Sequence, residues 1–231
     1  KIILFICGNM GYKTEMIEIK AKIDESPELK DKISECIYWH YRNDPSPYKV
    51  LGSSGRTVYS TGKIETEDGE EIYLALKLYP DKSDHDRAKE EIIREIALFD
   101  FLNELSMPVP KFSIMVEVDG RYGTLTEDLT HDGRYELMES YSNMQKLKQI
   151  ENYQELMELA LLEWDDIFSE NGFKEVPFGS LFIQKDENNQ GKPVFADMDS
   201  TNIGYISHKI LDEFHERYSN KEYELVLMNT K

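Results

Sequence analysis

The chain has 231 residues, of which 40% are hydrophobic and 11% aromatic, enough to bury a core and too much for a disordered segment. Its 27 basic residues face 45 acidic ones, and the net charge of −18 repels nucleic-acid backbones and anionic membranes, so neither is an expected partner. Two cysteines, Cys7 and Cys36, make neither a metal cluster nor a disulfide framework and fit a reducing, cytoplasmic setting.

The opening run Ile2-Ile3-Leu4-Phe5-Ile6-Cys7 is too short to span a bilayer and has no cleavage segment. It reads as a buried first strand or a remnant of upstream sequence, and export by a dedicated secretion machine stays open. Over residues 14–42, Ile17, Ile19, Ile23, Leu29, Ile33, Ile37 and Trp39 recur among charges, which predicts helix with a break near Ser26-Pro27. Asn43-Asp44-Pro45-Ser46-Pro47 ends it, because each proline disfavours helix in the residue before it. Residues 1–45 are therefore expected to form a helical extension, which either replaces packing or binds a protein partner.

From residue 48 the pattern becomes extended. Val50 to Ser60 carries a glycine-bearing turn, and Lys63 to Glu67 and Glu71 to Tyr79 flank an Asp68-Gly69 hairpin signal. Asp84 to Leu105 then carries Ile92, Ile96, Phe99 and Leu102 on one helical stripe. Two more strands follow, Phe112 to Val118 and Tyr122 to Glu127, joined at Asp119-Gly120. Beyond them the chain is mostly helical, notably Asn152 to Phe168. A short hairpin, Ser180 to Gln184 with Pro193 to Ala196, precedes a last helix over Ser207 to Tyr218. Segregated strands and helices predict an α+β fold rather than a parallel βαβ sheet.

Five segments carry residues suited to phosphate chemistry. The loop Gly52-Ser53-Ser54-Gly55 lets backbone N–H groups approach an anion, with Val58 beyond it to pack on a base. As a rule such a turn is only a hairpin. In the apolar strand around Ala75-Leu76-Lys77, the single lysine shares a face with Ala75 and Tyr73. Such a lysine commonly only snorkels at a sheet edge. Glu95, 18 positions later in Arg94-Glu95-Ile96, is placed to pair with it, and Glu91, a turn earlier, is the alternative. Glu127-Asp128-Leu129 ends a strand and forms a linker. Asp197, after the apolar Val194-Phe195-Ala196, offers hard oxygen to Mg2+.

In this order, over residues 48–200, these segments resemble the protein-kinase-like superfamily, which includes protein kinases and aminoglycoside phosphotransferases. In economy the chain is similar to some small bacterial effector kinases. The resemblance implies a two-lobed fold with a five-stranded antiparallel N-lobe sheet and a reduced, mostly helical C-lobe. The extension would be 1–45, the N-lobe 46–128 and the C-lobe 129–231. It implies that the backbone of Gly52, Ser53, Ser54 and Gly55 covers the phosphates of ATP, and that Lys77, oriented by Glu95, neutralises them. The backbone from Glu127 to Leu129 would bind adenine, and Asp197 would hold Mg2+ with Asp199 and Ser180 in support.

The chain also departs from that pattern. Its glycine loop is one residue short, and Asp197-Met198-Asp199 stands in place of Asp-Phe-Gly. Where the family has a catalytic aspartate and, five residues on, an asparagine, this chain has Glu175 and Ser180. Glutamate accepts a proton, so Glu175 is the candidate base. His131-Asp132-Gly133 matches the missing motif in composition only and falls too early. The expected activity is phosphoryl transfer from ATP to a protein or small-molecule hydroxyl. The alternatives are a pseudokinase serving as a nucleotide-binding or protein-interaction module without turnover, and an unrelated α+β interaction protein.

Overall fold

A computed structural model describes residues 8–42, 48–52, 56–67, 69–79, 85–131, 135–137, 148–171, 181–196 and 224–227. The fold is α+β and divides into two units. The first draws on Lys1–Ile96, Lys111–Asp128 and Tyr218–Lys231, the second on Ala97–Pro110 and Leu129–Arg217.

The first unit opens with two helices, α1 (Gly8–Asp24) and α2 (Pro27–Arg42). The break at Ser26-Pro27 is a cap: Ser26 Oγ accepts the Leu29 amide at 3.3 Å, and Pro27 occupies the first helical position, where no N–H is needed. Helix α1 begins at Gly8, six residues before the apolar recurrence suggested. Met16, Ile19 and Ile23 of α1 and Leu29, Ile33, Cys36, Ile37 and Tyr41 of α2 are buried. Burial, reinforced by Glu35, pushes the Cys36 thiol up to about 12, so it stays protonated and acts as a small hydrophobe.

The sheet runs in the order β1 (Val50–Gly52), β2 (Thr57–Glu65), β3 (Glu71–Leu78), β5 (Arg121–Glu127), β4 (Ser113–Val118), with all four pairings antiparallel. Strand β2 is unbroken where two separate extended runs were expected. It crosses Thr61-Gly62 by a bulge, which Gly62 permits with φ +143°. Helix α3 (His85–Glu104) lies between β3 and β4 in sequence, as the apolar stripe predicts. Asp119 (φ 52°) and Gly120 (φ 73°) make the two-residue turn joining β4 to β5, a turn that needs both residues left-handed. The sheet also has a sixth strand that the sequence reading missed. Strand β9 (Glu224–Leu227) pairs parallel with β4 at the edge, so the five antiparallel strands form part of a mixed sheet.

Register sorts the residues between two faces. Tyr59, Leu76, Leu125 and Ile114 form one cross-strand row, and Val58, Lys77, Thr124 and Met115 form the next, pointing the other way. Helix α2 covers the Tyr59 side, where His40 meets the Tyr59 hydroxyl at 3.2 Å. Helix α3 covers the Lys77 side. Because both faces of β3 are covered, Leu74 to Leu78 are all buried, and the strand reads as an apolar run rather than an alternation.

In the second unit the last turns of α3 give Leu98, Phe99 and Leu102 to a core with Met107, Ile150, Trp164 and Phe195. Trp164 and Phe168 pack edge-on against Phe195, with ring centroids 5.1 and 5.4 Å away. The helix expected over 152–168 is present as Tyr153–Glu158, a π-helical turn Leu159–Glu163, and Trp164–Glu170. The expected hairpin is β7 (Leu181–Lys185) with β8 (Gly191–Phe195), and a third strand not foreseen, β6 (Tyr135–Leu137), pairs with β7. The helix expected over 207–218 falls outside the described residues.

Candidate functional site

The site is built on the Lys77 face of the sheet. Lys77 lies near the end of β3, and its Nζ donates to Glu95 Oε1 of α3 at 2.8 Å. The Lys77 side chain is 9% exposed and that of Glu95 1%. Glu95, rather than Glu91, is the carboxylate that the helix presents to Lys77. It is adjacent to Ile96, a buried stripe residue, so it rides at the margin of the apolar face.

A second cation shares this carboxylate, and sequence reasoning passed over it. Arg56 Nη1 donates to Glu95 Oε2, and the Arg56 side chain is 10% exposed. Its guanidinium lies over the Tyr79 ring, 4.5 Å from the centroid. The sequence signal was partial: Arg56 stands two positions before Val58 and so has its strand parity, but only the folded register pairs Val58 with Lys77. Burial alone pushes the Glu95 carboxyl up, but Lys77 and then Arg56 override it and hold the group below the usual carboxylate range. The carboxylate is therefore ionised at neutral pH.

The surrounding row is small or polar. Val58 and Thr124 flank Lys77 across the sheet, and Ala75 and Thr126 form the neighbouring row on the same face. Thr126 Oγ1 donates to the Phe112 carbonyl at 3.0 Å, whereas the buried Thr124 hydroxyl has no hydrogen-bond partner among the described residues. Glu127 ends β5 and accepts the Lys111 amide through Oε2 at 3.2 Å. The Asp128 amide donates to the Tyr73 carbonyl at 2.7 Å, so within the expected adenine-binding stretch that donor is already committed to β3. Leu129 is buried and belongs to the second unit.

The structure thus brings Lys77, Glu95, Val58 and Arg56 together in the first unit. Gly52 is the last residue of β1, which pairs with β2 at Val58. Ser53, Ser54 and Gly55 of the loop, Glu175 as candidate base, and Asp197, Asp199 and Ser180 as candidate Mg2+ ligands lie outside the described residues. Among the described residues no group of three His, Cys, Asp or Glu is arranged to hold a metal. No helix among them is long and apolar enough to cross a membrane.

No protein-family model matches the chain, and none of the curated proteins compared with it does.

Proposed function

We propose that the chain is a divergent ATP- and Mg2+-dependent phosphotransferase of two-lobed, protein-kinase-like fold, acting on a hydroxyl of a protein or a small molecule. One observation carries this reading: the buried Lys77–Glu95 pair, on an inner antiparallel strand and the helix packed against it. A buried ion pair is a poor way to stabilise a fold, since apolar residues of equal volume commonly serve as well or better. Its presence beside Ala75, Val58 and two threonines, on a face that also carries Met115 and Tyr73, suits a cation kept oriented for a phosphate.

Under this reading the loop from Gly52 to Gly55 wraps the phosphates with backbone N–H groups, and Lys77 neutralises their charge. Val58 and Ala75 pack against the base, which the backbone of Glu127 and Leu129 recognises. Asp197, with Asp199 and Ser180, holds Mg2+, which supplies charge neutralisation at the phosphates. The hydroxyl oxygen attacks the γ-phosphorus, the bond to the β–γ bridging oxygen breaks, ADP leaves with the electron pair, and the hydroxyl proton passes to Glu175.

A second reading, a pseudokinase that holds nucleotide as a binding or regulatory module, is favoured by one specific feature. Glu175 and Ser180 stand where the resembled family carries aspartate and asparagine. Thermal unfolding of the full chain with ATP and Mg2+ tests the common ground, because a ligand that binds only the native state must stabilise it, by about 2.7 kcal/mol at a hundredfold excess over Kd. An unchanged melting temperature at millimolar ATP and Mg2+ ends both readings. Asp197→Asn should abolish the Mg2+-dependent shift while leaving the fold intact. Glu175→Gln should keep the shift and lower transfer of labelled phosphate. A shift with no transfer in the unmutated chain selects the pseudokinase.

A further inference from the structure

Arg56 is the first residue after the glycine loop and immediately precedes β2. Its guanidinium is held on two sides, by Glu95 Oε2 at its edge and by the Tyr79 ring under its face. Tyr79 is itself anchored, since its carbonyl accepts His40 Nε2 from α2 at 2.8 Å. Each oxygen of Glu95 therefore has its own cation, Oε1 with Lys77 and Oε2 with Arg56.

A carboxylate with one partner swivels easily, because the terminal torsion of glutamate is broad and nearly two-fold. With two cations of fixed origin, one on β3 and one at the start of β2, it has a single orientation. Arginine suits this post where lysine does not, because only the planar guanidinium can bond a carboxylate at its edge while stacking on an aromatic face.

We infer that Arg56 is a positioning residue of the nucleotide site: it fixes Glu95, and through Glu95 the Lys77 ammonium, while tying the exit of the glycine loop to helix α3. This inference rests on the nucleotide reading above and adds to it the means by which Lys77 is held in place. Arg56 is also a specificity element, because the Lys77 orientation that it maintains matters for the extra phosphates of a polyphosphate chain. It matters little for a monophosphate.

The test is calorimetric titration of the full chain with ATP·Mg2+ and with AMP, for the unmutated protein, Arg56→Gln, Arg56→Lys, Lys77→Met and the double variant Arg56→Gln/Lys77→Met. Residues that act through one network couple strongly, so Arg56→Gln should weaken ATP·Mg2+ about tenfold and AMP less than about twofold. Arg56→Lys should recover only part of the loss, and it replaces Arg56→Gln if that variant does not fold. In the Lys77→Met background, Arg56→Gln should add less than about a twofold further loss, because its route to the phosphates runs through Lys77. A purely structural arginine would lower the melting temperature without moving affinity. Unaltered ATP·Mg2+ affinity in Arg56→Gln, or a full additive loss in the double variant, overturns the inference and leaves the nucleotide reading standing. If the unmutated chain binds no ATP·Mg2+, both fall.

Discussion

Glu95 holds two cations on one carboxylate, Lys77 and Arg56. Its carboxylate is buried and ionised, with its cost offset by Lys77 and Arg56. Removing one partner of a buried pair is far more damaging than the pair is beneficial, because it strands charge away from water. Glu95→Gln should therefore destabilise the chain by about 3 kcal/mol, read from the urea midpoint at pH 7. The same carboxylate has a pH signature. Its folded value lies below the unfolded one, near 4.3, so its contribution is fully present above that value and is lost as pH falls through the folded value. Urea midpoints measured from pH 7 down into this acid range should fall more steeply for the unmutated chain than for Glu95→Gln. Parallel slopes would mean that the carboxylate does not change its protonation between the two states.

The helical pair α1–α2 shows what an element does here that its sequence left open. Its apolar side is spent on the sheet, with Ile33 and Ile37 fully buried and Leu29 reaching the bulge at Gly62, where a Cβ would meet its Cδ1 at 3.3 Å. Ile17, in the same apolar series, is 58% exposed and contributes nothing to that face. Ile33→Ala should cost about 3 kcal/mol, since it removes buried methyl groups and leaves a cavity against β2 and β3. A cost below 1 kcal/mol at the urea midpoint would show that the pair is only loosely docked. On the same face of the sheet, Gly123 of β5 has no room for a side chain: a Cβ there would lie 2.6 Å from Leu78 Cδ2 and 3.0 Å from the Lys77 carbonyl. The β3–β5 pairing that presents Lys77 depends on that missing methyl group.

At the scale of the whole molecule, the boundary between the two units falls within α3: its residues to Ile96 belong to the first and those from Ala97 to the second. Glu95 and Phe99, one turn apart, thus serve the ion-pair site and the aromatic core respectively. Melting one half of the helix strips hydrogen-bond partners from the adjoining turn of the other, because each residue's bond reaches one turn back. Calorimetry should show one unfolding transition, and Ile33→Ala in the first unit and Phe195→Ala in the second should both move it. Two separable transitions, each answering to only one of these substitutions, would show that the units unfold independently.

Much of this arrangement is legible in the sequence, and the parts that are share a physical basis. Asp119-Gly120 specifies its turn because few residue pairs tolerate two left-handed positions, and α3 is readable because its apolar stripe repeats with the helical period. Lys77 lies on the strand read over Glu71 to Tyr79 and Glu95 adjoins the α3 stripe, so their pairing is readable as well. Strand β9 is a different matter. Glu224-Leu225-Val226-Leu227 has no alternation, and its partner Val116 is more than a hundred residues away, so only the folded chain assigns it to the edge of β4. The same holds for β6, which at three residues is too short to show a period. The sequence alone determined most of the elements, though not β6 or β9, and that Glu95 is placed to meet Lys77, because turn chemistry and periodicity act over a few residues. Only the tertiary structure decided that Arg56 takes the second oxygen of Glu95, because that contact depends on where three elements and the Tyr79 ring meet in space.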